Sequence, residues 1–421
     1  MKIAIFGMGY VGCTAAGCLA SQGHDVLGVD VAESKVALLN AGLSPVKEPG
    51  LDDLIAQAVA DGKLRAVREV GDELASCDLA IVCVGTPSGV DGAHDMRFIA
   101  AVTRSIAEAV AVGSERRLTV AYRSTMRPGT TEQIILPMFR AALGERSDEL
   151  VEIVYNPEFL REASAIEDFF NPPKIVVGTS DGLPSATMER LHEGIDAALF
   201  VTGLREAEMT KFVDNSWHAA KVAFANEIGR VCQTLGISAG QVHRIFAADT
   251  KLNISAAYTR PGNAFGGSCL PKDVRALQHI AGDIGANTHL LDALLRSNEA
   301  HKHHQFLTAT AGLAPGARVL LVGLSFKSGT DDLRESPAVD MARKLLDAGY
   351  ALDIYDPALR PEQLVGQNLG YAFAFLPTIE SLLVDEATAL NTPYDLVLAT
   401  NRLVDSLALG STRIVDISVI A

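Results

Sequence analysis

Short apolar runs punctuated by glycine and proline set the rhythm of the first half of this chain. "KIAIF" begins at Lys2 and gives way to a glycine turn and a helical stretch. "DVLGVD", "LAIVCVG", "LTVAY", "VEIVY" and "KIVVG" follow, separated by segments of helical periodicity. Apolar runs alternating with helices build a parallel sheet covered by helices. Near Gly203 the rhythm changes: Glu206 to Leu235 reads as one long helix interrupted only by Gly229, and helical segments continue through Gln305. After "GLAPGA", residues 312–317, the alternation returns with "RVLLVG", a helix from Pro337 to Gly349, "LDIYD", "DLVLAT" and "RIVDI". The pattern predicts an α/β chain with parallel-sheet domains at 1–202 and 311–421, joined by a helical central domain at 203–310.

Composition narrows the class. At 421 residues and 48% hydrophobic, the chain is too long for one ordinary core. "MKIAIFGMGYVG" lacks the layout of a signal peptide, and no run reaches the roughly 18 apolar residues of a membrane span. A formal net charge of -15 argues against nucleic acid and anionic membranes as partners, while small anions can still bind locally. The six cysteines form no C-x-x-C pair, which fits a reducing cytoplasm rather than disulfides or a cysteine zinc site. "HKHH", with His301, His303 and His304, has no carboxylate or cysteine cluster near it in sequence and reads as solvated surface; no metal is expected.

Three places carry candidate chemistry. Gly7, Gly9 and Gly12, with Tyr10 and Val11 between them, form G-x-G-x-x-G between a strand and a helix, and the next strand ends on Asp30. Glycines there let the backbone approach a pyrophosphate at a helix N-terminus, and the acid accepts from a ribose; Asp30 would repel a 2′-phosphate, so NAD is expected over NADP. Thr86 and Pro87 follow a later strand and should border the same crevice. On the long helix, Lys211 and Asn215 are four apart, and His218, Val222 and Asn226 continue their face. That stripe lines either an active site or a wet groove in which Lys211 pairs with an acid. Glu158 and Glu162 in "NPEFLRE", four apart, would share a face on a helical turn, as a general base and its neighbour or as plain surface charges. In "GGSCLPKD", Pro271 fits a first helical position, so Cys269 falls just before a helix N-terminus with Lys272 close by, and the glycines give a substrate access to the sulfur. A buried structural cysteine is the alternative.

Taken in order, "IFGMGYVG", "VGTP", "RSTMRPGT", "NPEFLREASAIEDF", "GGSCLPKD" and "GLSFKSGTDDLRESP" resemble the UDP-glucose/GDP-mannose dehydrogenase family over nearly the whole chain. "NSWHAAKVAFANEIG", with its Trp217-His218 pair, and "TRPGNAFGGSCLPKDVRAL" resemble the GDP-mannose branch most. The resemblance implies two Rossmann-like domains and a four-electron oxidation of a sugar C6 alcohol to a carboxylate with two NAD molecules in turn. It implies that Lys211, Asn215 and Asp273, with a water, assist loss of the hydroxyl proton and stabilise the oxyanion. It makes Cys269 the nucleophile of a thiohemiacetal and then a thioester, and Glu158 the activator of water, with Thr125 and Glu162 positioning that water or the nicotinamide.

The resemblance further implies NAD contacts at Tyr10, Val11, Asp30, Lys35, Thr86, Thr125, Lys272 and Arg334. Around the nucleotide sugar it implies Glu162, His218, Asn226, Tyr258, Arg260, Gly266 and Lys327, with Arg260 and Lys327 on the diphosphate. Ala257 and Asn263 stand where the GDP-mannose branch tends to carry bulky aromatics, so Asn263 bears on which nucleotide sugar fits. The product would feed an alginate-like uronic acid polymer or another glycan. The long helix would form a homodimer core, with domain exchange between chains as a variant of it. UDP-glucose oxidation is the nearest alternative. A two-electron 3-hydroxyacid dehydrogenase leaves Cys269 unexplained, and a silent nucleotide sensor would have lost catalytic groups that are present here.

Overall fold

A computed structural model describes residues 1–421 except 88–93, 114–115, 162, 256–258, 260–261, 268, 327–331, 361, 363, 365, 411 and 421. By internal contacts the chain divides into two units, Met1–His218 and Ala219–Ala421. The first holds an eight-stranded sheet of β1 (Lys2–Phe6), β2 (Asp25–Val29), β3 (Leu64–Val67), β4 (Leu79–Val82), β5 (Leu118–Tyr122), β6 (Val151–Tyr155), β7 (Ile175–Thr179) and β8 (Leu199–Gly203). Their order is β3-β2-β1-β4-β5-β6-β7-β8. The first six are parallel, and the chain passes between β1 and β4 where the winding direction reverses, the crevice at which such sheets bind nucleotides.

Both faces of this sheet are buried, as the continuous apolar runs require. Ile3 and Ile5 pack with Leu79, Ile81 and Val154 on one side, while Ala4 and Phe6 pack with Val82, Val120 and Tyr122 on the other. Six of the eight strands are legible as apolar runs. The two that are not, β3 and β8, are the sheet's edges: β3 alternates buried Leu64 with exposed Arg65, and β8 exposes Leu199 and Phe200. The sheet also departs from the all-parallel expectation, because β7 meets β6 antiparallel through Tyr155 and Gly178, and β8 follows β7. The segment between β6 and β7 has prolines at 157, 172 and 173 and only one short helix, Ala165–Phe170, and it turns the chain back at the carboxyl edge instead of completing a crossover.

The second unit holds β9 (Arg318–Val322), β10 (Ala351–Tyr355), β11 (Leu396–Ala399) and β12 (Ile414–Asp416), all parallel in the order β10-β9-β11-β12. Val319 and Leu321 face one buried cluster and Leu320 and Val322 the other. The helix Pro337–Asp347 starts with Ser336 as N-cap, whose hydroxyl accepts from Ala338 N.

The long helix runs Leu204–Thr234, one or two residues from its expected ends. Near its carboxyl end, buried Glu227 accepts from the amides of Leu290 and Leu291 at 2.8 and 3.0 Å. These amides open the helix His289–Ala309, so the acid satisfies orphan donors at a positive helix end. Among the described residues, no helix is long and apolar enough to cross a membrane.

Candidate active site

Of the expected site residues of the first unit before the long helix, Gly7, Gly9, Asp30, Thr86, Thr125 and Glu158 follow the ends of strands of the large sheet, Tyr10, Val11 and Gly12 open the helix after β1, Lys35 lies on the helix after β2, and Glu162 is outside the described residues. After β1 the three glycines do three different things. Gly7 has φ +92° and a Cβ there would lie 2.9 Å from Val84 N. A Cβ at Gly12 would lie 2.0 Å from the Gly7 carbonyl, so its absence lets the helix Tyr10–Ser21 pack against the turn. A Cβ at Gly9 would meet no protein atom within 4 Å, so the missing side chain there serves approach from outside the protein. At the end of β2, Asp30 accepts from Met8 N at 2.8 Å, Ala32 N at 2.9 Å and Lys35 Nζ at 3.0 Å. Burial opposes its ionisation, but the Ala32 amide, Lys35 and the Met8 amide outweigh that and hold the carboxyl below its usual range. This loop and acid fit a dinucleotide: a bare backbone for the pyrophosphate, a helix N-terminus, and a carboxylate for the ribose.

Beyond β4 and β5, Thr86 Oγ1 donates to the Thr125 carbonyl at 2.9 Å, joining two residues that are far apart in sequence. Beyond β6, Glu158 meets Lys211 of the long helix. The ammonium donates to the Glu158 carbonyl at 2.8 Å and to Oε1 at 3.0 Å, with both side chains only 14% exposed. Two of its three donors are used, which leaves one for an oxygen from outside the protein. Asn215 lies one turn further along, exposed, as do His218 and Asn226. Lys211 and Lys174 flank the Phe159 ring at 5.8 and 4.7 Å, and Lys174 pairs with Asp214. The wet-groove reading of Lys211 is therefore half right: it does pair with an acid, but that acid is another candidate catalytic residue.

Residues 156–161 form no helical turn at Glu158, and Glu162 lies outside the described residues. Glu158 follows Pro157 in an irregular segment, and its Oε2 accepts from Leu160 N at 2.7 Å, a local turn that replaces a helix. A small cavity of about 50 Å³ lies beside it, lined among others by Arg123, Asn156, Lys174 and His192. Burial, then the Arg123 guanidinium, pushes the His192 imidazole down to about 4.

In the second unit Cys269 is the N-cap of the helix Leu270–Asp283, with Pro271 one position later than expected. It is exposed, whereas Cys13, Cys18, Cys77 and Cys232 are buried and Cys83 half-buried, so the structural-cysteine alternative fits the other positions and not this one. Lys272 and Asp273 pair with each other at 3.1 Å on the exposed first turn. Arg334 is held chiefly by Asp332, whose two carboxylate oxygens accept from it at 2.9 Å each and raise its guanidinium. The glycines before the cysteine are close-packed: a Cβ on Gly266 would lie 2.1 Å from the Glu335 carbonyl, and one on Gly267 2.6 Å from the Phe326 ring. Asn263 is exposed and commits its amide nitrogen to the Thr400 carbonyl at 3.1 Å. Tyr258, Arg260 and Lys327, like Glu162 and Ala257, lie outside the described residues.

The groups that fix these loops are absent from the sequence reading. Buried Glu48 accepts from the Tyr10 hydroxyl and from Ala163 N and Ala165 N at 2.9 Å each, tying the glycine helix to the segment after Glu158. Asn298 both donates to and accepts from the Phe265 backbone at 2.8 Å, and Arg275 makes a two-pronged pair with Glu335. Glu335 has φ +55°, a left-handed conformation that costs a side-chain-bearing residue about 1–3 kcal/mol. Their partners lie tens of residues away, and no local periodicity marks them.

Comparison with known proteins adds a second line. The family models for the UDP-glucose/GDP-mannose dehydrogenase family match the NAD binding domain at residues 1–196, the central domain at 205–300 and the UDP binding domain at 320–400. A GDP-mannose 6-dehydrogenase of Pseudomonas putida is 41% identical, covering 96% of this chain and 91% of its own. A UDP-glucose 6-dehydrogenase of Haloferax volcanii is 36% identical, covering 85% of this chain and 83% of its own. Among solved structures, a GDP-mannose dehydrogenase of Pseudomonas aeruginosa in a ternary complex superposes with a TM-score of 0.91 at 39% identity, covering 99% of this chain and 96% of its own.

Proposed function

This chain belongs to the UDP-glucose/GDP-mannose dehydrogenase family, NAD-dependent enzymes acting on nucleotide sugars, and from that premise we propose that it oxidises GDP-mannose at C6 to GDP-mannuronate. The observation that carries the chemistry is the junction of Lys211 with Glu158, which brings the helix stripe and the "NPEFL" segment together. The choice of sugar rests on the likeness to the Pseudomonas enzymes across almost the full chain.

When bound, NAD supplies the hydride acceptor at each of two oxidations; the glycine turn, Asp30, Lys35, Thr86, Thr125, Lys272 and Arg334 are the residues that would hold it. Lys211 and Asn215 donate to the C6 oxygen as negative charge grows on it, and Asp273 helps a water take the hydroxyl proton. The Cys269 sulfur then adds to the aldehyde carbon, the carbonyl oxygen takes a proton, and the thiohemiacetal keeps the aldehyde from escaping. Loss of hydride and of that proton gives the thioester. Water, activated by Glu158, with Thr125 and Glu162 positioning it or the nicotinamide, cleaves the C–S bond to release the carboxylate and restore the thiol.

His218, Asn226, Tyr258, Arg260, Gly266 and Lys327 complete the sugar-nucleotide contacts, and Asn263 influences which nucleotide sugar enters. Division into domains at 202 and 310, a cytoplasmic location, supply of an alginate-like polymer and a homodimer belong to the same reading. The dimer is supported by Val213 and Trp217, apolar, four apart on the long helix and each more than half exposed. UDP-glucose oxidation is the second reading, favoured by the UDP description of the family's carboxyl-terminal domain. A panel of GDP-mannose, UDP-glucose and UDP-N-acetylmannosamine, followed by NADH formation, decides between them. GDP-mannose should have the highest kcat/KM; faster turnover of UDP-glucose would overturn the substrate assignment.

A further inference from the structure

Glu208 lies on the long helix, one turn before Lys211, and is completely buried. Its carboxyl group accepts three hydrogen bonds, all from the loop ending at Gly129 and the start of the helical turn Thr131–Ile135 that follows it: from the Gly129 amide, from the Thr131 amide at 2.9 Å and from the Thr131 hydroxyl at 2.7 Å. That loop begins with Thr125, whose carbonyl holds Thr86, and it turns at Gly129 with φ +93°. Tyr155 holds the residue just before it. Its hydroxyl donates to the Ser124 carbonyl at 3.2 Å, and burial, then the nearness of Glu208, pushes the phenol up. Buried carboxyl oxygens that receive three donors are costly to disturb, because each donor would be left unpaired away from water. No part of the proposed chemistry uses Glu208.

We propose that Glu208 is a positioning residue that locks the Thr125–Gly129 loop and the helix start at Thr131, on the cofactor side, to the helix turn that carries Lys211 and Asn215, on the substrate side. The inference rests on the functional reading above for the roles of Thr125 and Lys211. Hydride transfer between two bound molecules depends steeply on their spacing, and a misplacement of about 1 Å can cost roughly 100-fold in rate. One buried acid joining both walls fixes that spacing without touching either molecule.

The test compares Glu208→Gln, Thr131→Val and the double variant with wild type, using Thr131→Ser as the conservative control. Three quantities are read: NAD affinity by calorimetry without sugar, steady-state kinetics with GDP-mannose, and Tm. Glu208→Gln should weaken NAD binding several-fold and lower kcat by roughly 10- to 100-fold while KM for the sugar stays within about twofold. Thr131→Val should give a smaller change in the same direction, Thr131→Ser should match wild type, and the double variant should be no slower than Glu208→Gln alone. A lowered Tm with unchanged NAD affinity and kcat, or fully additive losses in the double variant, would overturn the inference. Should Glu208→Gln fail to fold, an unaltered kcat in Thr131→Val would do the same. If wild type oxidises no nucleotide sugar, the functional reading falls, and the calorimetric comparison still decides the role of Glu208.

Discussion

Two of the three functions of the glycine turn separate in a pair of substitutions, Gly9→Ala and Gly12→Ala. At Gly12 the new methyl would sit 2.0 Å from the Gly7 carbonyl oxygen, a backbone atom that cannot swing aside. Overpacking of this kind costs about 1–3 kcal/mol or more, and each kcal/mol shifts Tm by roughly 2–4 °C in a domain of this size. Gly12→Ala should therefore lower the Tm of the NAD-free protein by about 5–10 °C. At Gly9 the backbone is extended (φ -90°, ψ -161°) and a methyl meets no protein atom within 4 Å. Reduced freedom of the unfolded chain favours alanine by about 0.4–1 kcal/mol, and a poorer helix N-cap offsets this by a similar amount. The Tm without NAD should stay within about 2 °C of wild type. Affinity for NAD should nevertheless fall by at least about 100-fold, or 2.7 kcal/mol, because the methyl occupies the space a pyrophosphate needs. Thermal scans with and without NAD, together with calorimetric titration, measure both. Normal NAD affinity in Gly9→Ala, or an unchanged Tm in Gly12→Ala, would refute the roles assigned to these glycines.

Two further outcomes follow from buried groups. The His192 imidazole falls from 6.5 to about 4 on folding, so the unfolded chain binds its proton more readily; its contribution is fully present above pH 6.5 and is lost as pH falls toward 4. Chemical denaturation should show up to roughly 3 kcal/mol lost across that window, and His192→Gln should flatten the slope; an equal slope in the variant would remove His192 as its source. Asn298→Leu leaves the N–H and C=O of Phe265 unpaired and should cost about 2–5 kcal/mol and speed alkylation of Cys269 as the loop before it loosens. An unchanged Tm and alkylation rate would show that the loop holds itself.

The sequence made some features legible because they are local. Buried strands read as apolar runs, the glycine turn as a spaced motif, and the cysteine helix through Pro271. Other features depended on residues far apart. Edge strand β3 lacks a two-sided apolar signature, since buried Leu64 and Ala66 alternate with exposed Arg65, and β8 is an edge strand that leaves apolar Leu199 and Phe200 exposed. Glu158 and Glu162 suggested a helix by spacing, but Pro157 and the Glu158 bond to Leu160 N settle an irregular turn. Glu48 and Glu208 look like ordinary surface acids in sequence; only a fold that brings loops 79 and 115 residues away against them gives them work. Lys211 shows the intermediate case. Its helical stripe was visible, whereas its partner Glu158, 53 residues earlier, was not.

The central claim is a four-electron oxidation through Cys269, and the most direct measurement is the ratio of NADH formed to sugar consumed, in wild type and in Cys269→Ser. Wild type should form two NADH per GDP-mannose with the carboxylate as sole product, and Cys269→Ser should stop at the aldehyde level with at most one. A steady ratio of one in wild type, or undiminished carboxylate from Cys269→Ser, would contradict the account.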